Sequence, residues 1–214
     1  MIKTGQIYTN AAIGYDGEVL QDIHLPSKNI AIYKRSINSL KTELADVEAR
    51  TVECRVSGTV EEILSLLQDY FNHHHLECFS LLNDISELLE LFERTTKSSS
   101  FRLLLATVST NMCRKFHTDI NDLRLLCTYI GPGTLWLPNE AVNHKALEVG
   151  GTDPKIVLDQ QQVQQVHTGD VVILKGTLYP EVNPILHRSP SIEKTGERRL
   201  LLRIDTNEFL NFLT

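Results

Sequence analysis

The 214-residue chain carries 21 Lys and Arg against 27 Asp and Glu, a formal net charge of -6, with 42% hydrophobic and 22% charged residues. That is a globular composition, long enough to bury a core, and it lacks the basic excess of a general nucleic-acid binder. No apolar run approaches a membrane span, no apolar signal core follows Met1, and the four cysteines form no Cys-x-x-Cys pair, so a reduced cytoplasmic protein is expected.

The first 30 residues, with Gly14, Gly17 and Pro26, read as an irregular lead-in, followed by an apolar strand at Asn29–Tyr33. Ile37, Leu40, Leu44 and Val47 recur at helical spacing behind Ser36, which is placed to cap. Val52, Cys54 and Val56 alternate with polar neighbours, the pattern of a half-buried strand. After Gly58, Thr59-Val60-Glu61-Glu62 is a capping box that predicts a helix to about Phe71. Leucines at three- and four-residue spacing predict a second helix from about His75 to Arg94, ended by Lys97-Ser98-Ser99-Ser100.

Beyond Ser100 the pattern becomes β-prone. Phe101–Met112, Leu123–Ile130, Val171–Leu174 and Leu200–Ile204 are short runs separated by Gly-Pro-Gly, Gly-Asp and Thr-Gly turns. The expectation is an α+β chain: residues 1–100 form an irregular and helical layer, and residues 101–214 a jelly-roll core, together one integrated domain. Walker, dinucleotide-binding, Gly-x-Ser-x-Gly and His-Glu-x-x-His motifs are all missing from the sequence, which leaves nucleotide hydrolysis and standard hydrolase chemistry unsupported.

His117-Thr118-Asp119 is the first chemical candidate. On a strand, residues two apart face one side, so this imidazole and carboxylate would enter one pocket, as two ligands of a 2-His-1-carboxylate iron site do. A surface turn with a stray His accounts for the same tripeptide. His187 sits at the end of an apolar run, before Pro190, as at the end of a short strand. His74 and Cys78 could share a helix face and a metal, or lie in a polar loop. Cys113 shares strand parity with His117 and Asp119; Arg124 faces the pocket or solvent; Trp136 lines a substrate mouth or belongs to the core.

The order His-x-Asp, a Tyr-bearing strand, Gly-Asp with an apolar strand, a His near a strand end and then Gly-x-Arg resembles the 2-oxoglutarate and Fe(II)-dependent dioxygenases over about residues 101–205. Cys113–Asp119, Gly131–Pro138 and Leu186–Pro190 resemble more closely the bacterial domain-of-unknown-function family 1826. The wider resemblance implies a double-stranded β-helix of cupin-like type, with His117, Asp119 and His187 on Fe(II), or alternatively Zn. It implies 2-oxoglutarate as co-substrate, with its far carboxylate on Arg198 or Arg199. Arg203 shares a strand face with Arg199, and Tyr129 either stands where related oxygenases hydrogen-bond the co-substrate or is a core Tyr with its hydroxyl at the rim. The implied activity is oxidation of an unidentified small-molecule or peptide substrate. The alternative is a cupin-like metal-binding protein concerned with zinc or iron supply.

Overall fold

A computed structural model describes residues 8–180 and 183–206, so residues 1–7 and 207–214 of the two expected regions lie outside it. In chain order the strands are β1 (Ala11–Gly14), β2 (Ile30–Tyr33), β3 (Glu53–Gly58), β4 (Phe101–Val108), β5 (Leu123–Ile130), β6 (Leu135–Trp136), β7 (Gln164–Gln165), β8 (Val171–Lys175), β9 (His187–Arg188) and β10 (Arg199–Thr206). The helices are α1 (Lys41–Glu48), α2 (Val60–His73), α3 (Phe79–Thr96), α4 (His144–Glu148) and α5 (Asp153–Ile156).

Seven strands form one mixed sheet in the order β1-β2-β8-β5-β10-β4-β3, in which β1 and β2 are parallel and the other pairs antiparallel. A second sheet, β7-β6-β9, lies over part of one face. The central strands are apolar on both sides because both sides are covered. On β10, Leu200, Leu202 and Ile204 meet α2 and α3 through Leu67, Phe71, Leu88 and Phe92. The opposite face of the sheet packs Ile30, Ile32, Leu126, Val172, Leu174 and Leu201 against Trp136 and Val166 of the smaller sheet.

Two local expectations hold closely. Thr59 accepts a hydrogen bond from the Glu62 amide while the Glu62 carboxylate accepts from the Thr59 amide, which starts α2. The apolar run 123–130 is β5, the sheet's central strand. Elsewhere the structure departs from expectation. The lead-in contains β1 and a 3-10 helix at Gly17–His24, capped by Asp16, and β1 joins the expected strands β2 and β3 in the main sheet, so the chain before Ser100 is not only a helical layer. The helix expected from His75 begins at Phe79, because His75 takes a left-handed backbone (φ 52°) that breaks the chain after α2. Among the described residues no helix is long and apolar enough to cross a membrane.

Candidate metal centre

His117 is held not by a regular strand but by an isolated antiparallel bridge to His187, so the two-residue face rule is not what aims His117 and Asp119. Each of the two histidines donates its amide to the other's carbonyl at 3.0 Å, and β9 in turn pairs with β6. The bridge sets the imidazoles side by side, with ring centroids 4.5 Å apart. Asp119 then turns back toward them. Its carbonyl accepts the Thr177 amide at 2.8 Å, and the Asn121 carbonyl accepts that of Leu178. This tight approach explains Gly176, where a Cβ would collide with Oδ1 and the carbonyl oxygen of Asn121.

The ligand atoms of His117, Asp119 and His187 lie within 4.8 Å of one another. Nε2 of His117 is 3.6 Å from Asp119 Oδ1, and Nε2 of His187 is 3.3 Å from Oδ2. The other ring nitrogens are engaged outward. Nδ1 of His117 lies 3.0 Å from the Lys115 carbonyl and Nδ1 of His187 lies 3.4 Å from the Ile185 carbonyl. A carbonyl only accepts, so each Nδ1 carries a proton and each ring turns its Nε2 toward the centre, where it presents a lone pair once that nitrogen gives up its own proton. That tautomer is the one a metal requires, held by backbone carbonyls. Donors bonded at about 2.1 Å in adjacent positions stand about 3.0 Å apart, so two imidazoles and one carboxylate fit one divalent ion after small movements.

Electrostatics favour an ionised carboxylate. Burial opposes the charge of Asp119, but hydrogen bonds from His117 and His187 and the charges of His187 and Arg124 outweigh it and hold the carboxyl well below its usual range. Arg124 Nη1 is 2.5 Å from Asp119 Oδ2, while its Nε donates to Asp205 at 2.6 Å. Asp205 is buried; it also accepts from Asn121 at 3.1 Å and lies 3.2 Å from Arg203 Nε. The chain Asp205–Arg124–Asp119 thus ties the carboxylate of the site to the end of β10. In the absence of metal, its hydrogen bond to Asp119 raises the pKa of His117.

A narrow cavity of about 80 Å³ opens beside these residues, lined also by Cys113, Arg124, Thr134, Arg199 and Arg203. Arg199 is 1% exposed. Its guanidinium donates to the hydroxyl of Thr128 at 3.0 Å and lies 3.5 Å from that of Thr134, while Nε has no partner among the described residues. Burial pulls its pKa down to about 10.

Two of the residues that the dioxygenase resemblance offered for the co-substrate lie elsewhere. Arg198, one position before Arg199, points to the other side of the sheet and donates to the carbonyls of Glu48 and Arg50 at the C-terminal end of α1. A cation there complements the helix dipole. Tyr129 also faces the helices, and its hydroxyl donates to Asp84 at 2.6 Å, beside the bidentate Arg35–Asp84 pair. The parity of β5 decides this, since Arg124 and Thr128 face the cavity and Tyr129 cannot.

Arg203 and Cys113 do line the cavity, and Arg124 faces inward. Trp136 is core, edge-on to Tyr8 with centroids 5.2 Å apart. His74 stacks on Tyr70, Cys78 is buried, and neither belongs to a metal-competent group among the described residues. Asp205, Thr128 and Thr134 were not expected from the sequence. The strand parity of Arg199 and Arg203 extends to Asp205 and was the available signal.

In structure the chain is similar to a dioxygenase for auxin oxidation from Arabidopsis thaliana in its 2-oxoglutarate complex, with 10% identity, a TM-score of 0.48, and 92% of this chain and 91% of that one covered. It is similar to a Pseudomonas putida prolyl-4-hydroxylase at 10% identity, a TM-score of 0.43, and coverage of 89% and 97%. A full-length Neurospora crassa protein in complex with alpha-KG gives 13% identity, a TM-score of 0.44, and coverage of 89% and 78%. No curated protein matches the sequence. A family profile described as "Protein of unknown function (DUF1826)" matches residues 14–205, nearly the whole chain. The chain belongs to the DUF1826 family.

Proposed function

We propose that the protein is an Fe(II)- and 2-oxoglutarate-dependent oxygenase whose two sheets form a distorted double-stranded β-helix. The observation that carries this reading is a pairing: a metal-competent His117–Asp119–His187 group and a buried guanidinium with no anion beside it among the described residues, Arg199, line the same small cavity. A buried cation without a counterion is costly in a fold, and a dicarboxylate co-substrate would supply the missing charge.

In this reading His117, Asp119 and His187 hold the ion through three donors and leave positions for a 2-oxo acid. Iron would supply the activation of dioxygen, with 2-oxoglutarate as the reductant. The protein's residues do the rest. Backbone carbonyls hold each Nδ1 proton and so aim both Nε2 atoms toward the centre. Arg124, braced by Asp205, keeps Asp119 ionised and oriented. Arg199, with Thr128 and Thr134 beside it, neutralises the far carboxylate of 2-oxoglutarate, and the apolar wall of Leu126 and Leu201 limits water.

Anaerobic addition of Fe(II) and 2-oxoglutarate to the protein purified without an affinity tag tests the proposal. A visible charge-transfer band that is lost in His117→Ala is the expected result. Tight binding of metal by the wild type with no band and no 2-oxoglutarate binding would overturn it in favour of a metal-supply role.

A further inference from the structure

The cavity at the histidines encloses about 80 Å³, whereas pockets that take a small molecule usually run to about 300 Å³ or more. A dicarboxylate and a second substrate can enter such a site only if a wall moves. Most of the walls are fixed. Leu126, Arg199, Leu201 and Arg203 lie on β5 and β10 in the middle of the main sheet, and His117 and His187 are bridged to each other beside β6. A wall outside both sheets is formed by Met112 and Cys113, on the segment 109–115 that follows β4.

This segment is a strap with firm ends and a loose middle. Val108 pairs with Arg199 in the sheet. Phe116 is buried, with the Arg188 guanidinium 4.7 Å from its ring centroid and its amide donating to Asp153 at 3.0 Å. Between these ends, residues 112–115 are exposed in a row. Among the described residues, the backbone of 109–115 makes one hydrogen bond to another segment's backbone, from the Ser189 amide to the Cys113 carbonyl at 3.1 Å.

A reciprocal clasp between Asn111 and Glu193 holds the strap down. The Glu193 carboxylate accepts the Asn111 amide at 3.1 Å, and the Asn111 side-chain carbonyl accepts the amides of Ile192 at 2.8 Å and Glu193 at 3.3 Å. Arg114 adds an ion pair to the same carboxylate at 2.9 Å. The post is rigid, because Ile192 is fully buried in the core between the two sheets. Exposed hydrogen bonds and ion pairs are individually weak, and few buried contacts resist local opening, so the strap can lift while the core stays packed.

We propose that the segment 109–115 is a gate over the metal centre, latched by Glu193, and that its opening admits ligands to His117, Asp119 and His187. The proposal rests on the oxygenase reading for the identity of what enters. The latch itself acts on any molecule that must reach the ion.

The test uses the zinc-loaded full chain, with two rates measured in parallel: tryptic cleavage after Arg114 and Lys115, mapped by mass spectrometry, and loss of zinc to a bidentate chelator. Glu193→Ala should speed both about tenfold, as expected on removing a charged hydrogen bond from a latch whose open population sets the rate. Arg114→Gln, at an exposed position, should raise the zinc rate two- to threefold (roughly the effect of an exposed ion pair). Added salt should speed zinc loss from wild type and do so less in Arg114→Gln. Lys194→Ala, an exposed change on the same loop, should leave zinc loss and the cut after Arg114 as in wild type. Faster cleavage in Glu193→Ala without faster zinc loss, equal acceleration of cuts throughout the chain, unchanged rates, or absence of zinc binding overturns the proposal. Rates that follow the clasp in a protein that fails the iron and 2-oxoglutarate test would keep the gate and overturn the oxygenase reading alone.

Discussion

Replacing Arg199 by Met removes a charge that the fold holds at a cost. The guanidinium is 1% exposed, its polar neighbours are two threonine hydroxyls, and no carboxylate lies within ion-pair distance of it among the described residues. Burial brings its pKa to about 10, more than two powers of ten below an ordinary guanidinium. At about 1.4 kcal/mol per power of ten, keeping it charged at neutral pH costs ~3 kcal/mol. The sign follows from linkage: a base depressed in the folded state binds fewer protons there, so the cost is present at neutral pH and is relieved only as pH rises past about 10.

Methionine fills a similar volume without the charge but forfeits the contact with Thr128, worth ~1 kcal/mol. The metal-free variant should therefore be more stable than wild type by ~2 kcal/mol, or roughly 4–8 °C in Tm for a chain of this size. The same change should weaken 2-oxoglutarate binding by about 100-fold, because the co-substrate's carboxylate loses its partner in a dry site. Thermal unfolding with and without 2-oxoglutarate, under anaerobic Fe(II), reads both effects. An Arg199→Met protein that is less stable without ligand, or that binds 2-oxoglutarate within a few-fold of wild type, would refute the reasoning.

Tyr129→Phe should cost about 1–1.5 kcal/mol in urea denaturation, since it removes the hydroxyl from Asp84, and should leave 2-oxoglutarate affinity unchanged; a lowered affinity would contradict the placement of Tyr129 on the helix side. Thr59→Ala should destabilise the protein by ~1 kcal/mol through loss of the α2 cap, with Thr59→Ser recovering most of it by the same measurement. Gly176→Ala should lower stability by about 2 kcal/mol or more and reduce bound metal by elemental analysis, because the new Cβ meets the Asn121 backbone that carries the turn after Asp119. Without metal, the raised pKa of His117 means that its pairing with Asp119 stabilises the fold below the ordinary histidine value and is lost as pH rises through the raised one. Metal needs the neutral ring, so affinity measured from about pH 8 to about pH 5.5 should fall steadily as His117 takes up its proton; affinity independent of pH would count against His117 as a ligand.

Rules that act between neighbouring residues were legible in the amino-acid order alone. The capping box at Thr59 needs four residues in sequence and nothing else, and the apolar run 123–130 reports burial on both faces of a strand without saying which strands flank it. The His117, Asp119 and His187 group was legible because its residue types and order follow a known chemistry. The means of its assembly was not, since the bridge from His117 to His187 joins segments 70 residues apart and shares no local periodicity. Likewise, parity required that one of Arg198 and Arg199 face inward but not which one. That depended on where β10 enters the sheet, with Arg199 opposite Val108 and the register shifted between Leu200 and Leu201. For Tyr129, the parity of Arg124 and Thr128 puts the phenol on the opposite face of β5, but only the packing of α3 and Asp84 against that face showed that it is the helix side. Sequence by itself determined most of the elements and the donor set. Tertiary structure decided which arginine is buried without an anion, because that depends on the residues brought around it from other strands.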